Sequence, residues 1–172
     1  MTRPSTDHVL MTNAITWSHR STCTRAQVGC VISRDGRTLA TGYNGAPAGM
    51  AHCDHTCDCR RMNYERHPNY PFRAHRPDCR SELPCTNVVH SEANALAFAA
   101  KYGVATGGAS IHTTRVPCMT CAGLLINAGI IRVVWLEKHR DMTGWARLAE
   151  AGLEVVQWGE EGVQNDVQPT SP

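Results

Sequence analysis

The run His90–Tyr102, HSEANALAFAAKY, answered about a helix later by Pro117–Cys121, PCMTC, decides how this chain is read. From Ser91 the alanine-rich run predicts a strong helix to Tyr102, with Gly103 placed to stop it. Ala109–Thr114 reads as a short strand, and Pro117 suits the first turn of a second helix ending near Gly129. His90 and Glu92 then straddle the start of one helix, while Cys118 and Cys121 occupy the first turn of the other. Cysteines three apart share a helix face, and a helix N-terminus favours their metal-binding thiolate forms. One His and two Cys can hold zinc through three protein ligands and leave a fourth position open, as a catalytic zinc requires and a structural zinc does not. Glu92, two residues from the His, is placed to handle the protons of a metal-activated water.

Working outward, Ser5, Thr6 and Asp7 are N-cap candidates for a first helix to about Ser18, with Leu10, Ala14 and Trp17 on its core face. Gln27–Ser33 reads as a strand, Asp35-Gly36 as a tight hairpin turn and Thr38–Tyr43 as the return strand; Cys30, inside the first, is expected to be an inert core thiol. Asn44–Gly49 is a loop by composition, with backbone freedom at both glycines. Ile130–Leu136 is a buried-type strand, Thr143–Ala151 a helix and Leu153–Trp158 a last strand. That helix is a crossover, so the last two strands should be parallel. The alternation predicts a layered α/β domain, with helices on both faces of one sheet, spanning residues 1–172 as a single unit. From about residue 50 to 86 apolar periodicity disappears and His, Cys, Arg and Pro dominate; an insertion of that length needs something to hold it. The tail, residues 159–172, is expected to fray.

Composition narrows the function. The chain has 172 residues, 42% hydrophobic and 19% charged, with a formal net charge of +2, which gives no basic surface for a long nucleic acid and favours a small-molecule substrate. No apolar run approaches membrane-spanning length and the polar start lacks a signal-peptide core, so a cytoplasmic protein without membrane partners is expected. Nine cysteines, an odd number without an export signal, point to metal binding rather than a disulfide framework.

The combination of H-x-E and P-C-x-x-C is the signature of zinc nucleobase deaminases, enzymes that replace an exocyclic amine by a carbonyl oxygen. Beyond it, Cys23–Gly29 (CTRAQVG), Gly42-Tyr43-Asn44-Gly45 with Pro47 and Gly49, His90–Ala95 (HSEANA) and Ala128-Gly129-Ile130 make the chain resemble the deoxycytidylate (dCMP) deaminase family, from about Trp17 to Trp158. That resemblance implies the cytidine-deaminase fold, a three-layer α/β/α sandwich around a mixed sheet of about five strands. It implies conversion of dCMP to dUMP and ammonia, supplying dUMP for dTMP synthesis. It also implies substrate contacts from Asn44 and Thr114, with Arg25 on the phosphate; a solvated surface role for Arg25 stays open. Many members are hexamers regulated by dCTP and dTTP, with Mg accompanying the triphosphate, and Phe98 and Lys101 resemble regulatory positions; Phe98 could equally be plain core. A second, structural zinc is implied, drawn from Cys23, Cys53, Cys57, Cys59, Cys79 and Cys85, with His52 or His55 as competitors and room for a third metal.

Two positions depart from the family pattern: Ser91 stands where Ala is usual between the catalytic His and Glu, and His112 where Tyr is frequent. Both are expected near the pocket, which keeps a modified dCMP or dCTP open as substrate. A transfer-RNA adenosine deaminase and a non-catalytic zinc module are the more distant readings, disfavoured by near-neutral charge and by an intact Glu92 beside a three-ligand site.

Overall fold

A computed structural model of the chain describes residues 3–23, 26–50, 52, 88–139 and 141–159. Helix α1 (Thr6–Ser18) starts from Ser5, whose Oγ accepts the His8 N–H at 3.1 Å. Strands β1 (Gly29–Arg34) and β2 (Arg37–Tyr43) form the expected hairpin, turned by Asp35 and Gly36 at φ 52° and 72°, the left-handed pair of a tight two-residue turn. β1 begins two residues later than expected. Its approach is held by Asn44 instead, whose backbone N–H donates to the Val28 carbonyl (3.0 Å) while its Oδ1 accepts the Val28 N–H (2.8 Å).

After the insertion come α2 (Ser91–Lys101), β3 (Ser110–Arg115), α3 (Met119–Asn127), β4 (Arg132–Glu137), α4 (Thr143–Glu150) and β5 (Glu154–Gln157). The sheet order is β2-β1-β3-β4-β5. The β2/β1 and β1/β3 pairs are antiparallel, while β3/β4 and β4/β5 are parallel, as helical crossovers require. This is the mixed five-strand, three-layer arrangement that the family resemblance implies, and it agrees with the layered α/β domain read from the alternation of elements.

Strand alternation divides the core between the two faces. Cys30, Ile32, Ile111 and Val133 pack with Ala95 and Ala99 of α2, Ala122 and Leu125 of α3, and Leu148 of α4. Val31 and Val134 turn the other way and pack against Leu10, Met11 and Ala14 of α1. Gly42 lets α2 settle onto β2, because a Cβ there would overlap the Ser91 carbonyl and come within 2.8 Å of the Ala95 nitrogen. Among the described residues no helix is long and apolar enough to cross a membrane.

Candidate zinc centre

His90 and Cys118 are each the residue from which a helix starts, α2 and α3 respectively, both with extended backbones. Cys118 therefore lies one position earlier than a first-turn residue, and Cys121 sits within the first turn. The segment leading to His90 is pinned to the loop after β2: Val89 and Gly45 exchange backbone hydrogen bonds of 2.9 and 3.1 Å, and Asn94 Nδ2 donates to the Tyr43 carbonyl at 2.8 Å. Gly45 serves through close approach, since a Cβ would press on Thr22 Oγ1. Of the two loop glycines, Gly49 uses its backbone freedom for a positive φ (83°), and Gly45 does not.

These anchors bring three donors together. His90 Nδ1 lies 3.4 Å from Cys118 Sγ and 3.5 Å from Cys121 Sγ, and all three ligand atoms fall within 4.8 Å of one another. Zinc–sulfur bonds of about 2.3 Å and zinc–nitrogen bonds of about 2.0 Å at tetrahedral angles separate neighbouring donors by roughly 3.5 Å, so the set fits one zinc ion. With protons alone to share, a hydrogen bond from Cys121 and the neighbouring His90 lower the Cys118 thiol to about 3. The same Cys118–Cys121 bond, with burial, pushes Cys121 up, and hydrogen bonding to Cys118 raises His90. His90 is exposed, Cys118 partly buried and Cys121 buried, and two thiols beside an imidazole are suited to a divalent cation.

Glu92 is 3% exposed, and burial raises its carboxyl above the ordinary range. Ser91, fully buried, donates its hydroxyl to Glu92 Oε2 at 2.9 Å. Cys30, on the sheet face that packs against α2, is fully buried, and burial, with the Glu92 charge, pushes its thiol well above the ordinary range. The arrangement gathers three donors that could hold a metal ion, with the buried Glu92 carboxyl two residues from one of them.

Residues 4–137 match the cytidine and deoxycytidylate deaminase zinc-binding region. The chain belongs to this deaminase family. The deoxycytidylate deaminase of Enterobacteria phage T2 is 32% identical over 158 residues, covering 80% of this chain and 84% of its own. That of Mycobacterium phage D29 is 37% identical over 135 residues, covering 78% of this chain and 97% of its own. Among solved structures, dCMP deaminase of cyanophage S-TIM5 in complex with dCMP and dUMP superposes with a TM-score of 0.71 at 26% identity, over 91% of this chain and 99% of that one.

The other predicted positions of this deaminase divide clearly. Asn44 is buried at the loop and spends its amide on the chain before β1: Oδ1 on the Val28 N–H, and Nδ2 on the Ala26 carbonyl at 2.7 Å. Thr114 is buried at the end of β3, its Oγ1 accepting the Gly29 N–H at 3.1 Å. Phe98 is 48% exposed and stacks on Tyr102, so its plain-core reading fails; Lys101 reaches over the Tyr102 ring beside it. Cys23 is buried and within electrostatic reach of His90. Arg25, Cys53, His55, Cys57, Cys59, Cys79 and Cys85 lie outside the described residues, as do almost all of the insertion and all but the first residue of the 159–172 tail.

His112 requires correction. Along β3 it alternates with Ile111, so it faces α1 on the side of the sheet away from α2 and α3, not the zinc-side pocket. There its Nε2 lies 2.7 Å from Asp7 Oδ1, and Asp7 is also gripped by Arg132 through Nη1 (2.8 Å) and Nη2 (2.9 Å). Sequence reading placed Asp7 only as a cap candidate and gave Arg132 no role, because nothing local links positions 125 residues apart. Cys30's place on the face that packs against α2 was likewise missed, although the alternation of β1 carried the signal.

Proposed function

We propose that this protein is a zinc-dependent dCMP deaminase, converting dCMP and water to dUMP and ammonia. The observation that carries the reading is the convergence of His90, Cys118 and Cys121 with buried Glu92 in a chain that deoxycytidylate deaminases match over most of its length. His90, Cys118 and Cys121 would hold the metal. Zinc in such a site supplies Lewis-acid activation of water at neutral pH. Glu92 takes a proton from the attacking water and delivers it to the ring nitrogen, then takes the remaining hydroxyl proton as the carbonyl forms and hands it to the departing amine. Burial suits it to carry protons in both directions, because a raised carboxyl returns to the neutral form easily. Asn44 shapes the nucleotide-facing loop, with Thr114 beneath it and Arg25 as the phosphate partner. His112's place on the far face removes one of the two reasons for a modified substrate.

Purified enzyme assayed with dCMP, dCTP, cytidine, cytosine and 5-substituted dCMP tests the assignment. dUMP and ammonia from dCMP are expected; turnover of dCTP or cytidine without dCMP would overturn it.

Finer features follow as part of the same proposal. Cys23, with partners among Cys53, Cys57, Cys59, Cys79 and Cys85, holds a second, structural zinc, which predicts two zinc ions per chain by elemental analysis. The exposed Phe98 and Lys101 support a hexamer whose activity responds to dCTP and dTTP, read by light scattering and by rate assays with Mg-triphosphate. Cys30, Cys118 and Cys121 form no disulfide, which suits a reducing cytoplasm.

A further inference from the structure

Side chains at adjacent helix positions ordinarily diverge, since neighbours on a helix face are three or four residues apart. Ser91 and Glu92 break that expectation. Glu92 curls back so that Ser91 Oγ reaches its Oε2 at 2.9 Å, and both residues are buried, at 0% and 3% exposure. Water therefore does not compete for the contact, and a hydroxyl hydrogen bond to a carboxyl is strengthened by that seclusion. The packing leaves Ser91 little freedom to turn away. Its backbone is pressed on Gly42 of β2.

We propose that Ser91 is a positioning residue for Glu92: its hydroxyl holds Oε2 and fixes the plane of the carboxyl that exchanges protons with water and substrate. The idea rests on the deaminase reading above and adds to it the residue between the metal-binding His and the acid. It also accounts for a serine at a position where an alanine would fit the helix equally well. Ser91 touches no substrate; it acts through Glu92, by removing carboxyl rotations that would have to be frozen out at each proton transfer.

The test uses the zinc-loaded enzyme and its Ser91→Ala variant, which shortens the side chain without straining the helix. The expected result is a kcat on dCMP lowered about tenfold, equivalent to about 1.4 kcal/mol in the barrier. KM, zinc stoichiometry and the dissociation constant for dUMP are expected to stay unchanged. A residue with a merely structural role would instead lose zinc or weaken nucleotide binding. Ser91→Thr, which retains the hydroxyl, should recover most of the lost kcat. An unchanged kcat in Ser91→Ala, or a fall that tracks lost zinc or a raised KM, overturns the proposal. A second measurement needs no substrate: urea midpoints of Ser91→Ala, Glu92→Ala and the double variant should be non-additive, as for directly bonded partners. Additive midpoints overturn the proposal even if dCMP is the substrate. Non-additive midpoints in a protein that does not act on dCMP would leave the Ser91 contact standing and sink the substrate assignment alone.

Discussion

Replacing Asp7 by Ala tests whether the far face of the sheet serves stability and not chemistry. Its carboxylate receives His112 at 2.7 Å and Arg132 at 2.8 and 2.9 Å. The Arg132 share is partly recoverable: that side chain is 24% exposed and keeps Glu154 at 3.0 Å, so its loss falls near the surface-pair range of about 0–1 kcal/mol. The His112 share is not. Its ring is 1% exposed, and Nδ1 already has no partner among the described residues, so truncation leaves both ring nitrogens unpaired in the core. An unsatisfied buried polar group costs about 1–3 kcal/mol, which together with the Arg132 share brings the total to about 1–4 kcal/mol. For a domain of this size each kcal/mol lowers Tm by about 2–4 °C, so Asp7→Ala should melt about 2–16 °C lower by calorimetry. The kcat/KM on dCMP at 25 °C should stay within about twofold, because Asp7 and the zinc donors lie on opposite faces of the sheet. The pH dependence has a definite sign. His112 and Arg132 hold the Asp7 carboxyl far below the usual carboxylate range. Its stabilisation is therefore complete above the unfolded value of about 3.9 and declines as pH falls from there toward the folded value. The Tm difference between wild type and Asp7→Asn should be full above about pH 5 and shrink below about pH 4. A Tm loss under about 2 °C, or a collapse of activity at unchanged Tm, would refute the reasoning.

Glu92→Gln should retain zinc, by elemental analysis, and lose at least about a hundredfold in kcat, the lower end of what a positioned acid–base group contributes. Gly42→Ala forces a Cβ into the Ser91 carbonyl, so calorimetry should show a loss of about 1–3 kcal/mol or more, with weaker zinc retention as α2 is pushed off the sheet. Asn44→Ala removes the clamp on Ala26 and Val28, and should raise KM for dCMP several-fold while lowering Tm, since two part-buried hydrogen bonds are lost at about 1 kcal/mol each. An unchanged KM there would mean that the approach to β1 does not shape the nucleotide pocket.

Elements with a strong local signal were legible in the sequence. The Asp35-Gly36 turn needs left-handed backbone at both positions, and only a few residue pairs provide it, so the hairpin announced itself. The α2 run and the β4 run carry composition that suits one state only, and the crossover between β4 and β5 left a parallel pair as the single outcome. The cluster of His90, Cys118 and Cys121 was equally plain, because metal coordination restricts both residue type and spacing. By itself the sequence thus determined the layered α/β fold and the deaminase family, and it singled out His90, Cys118 and Cys121, which the fold brings together.

What it could not carry were choices made by residues far apart in the chain. Strand parity turned His112 away from the pocket where its neighbourhood in sequence suggested it belonged, and gave it Asp7 from the first helix as partner. Packing exposed Phe98 and buried Ser91. Close backbone approach, and not positive φ, explained Gly45. Each of these depends on which face of the sheet a side chain meets and what the opposite layer brings to it. Only the tertiary structure decides that, because burial and hydrogen bonding are properties of the neighbours in space.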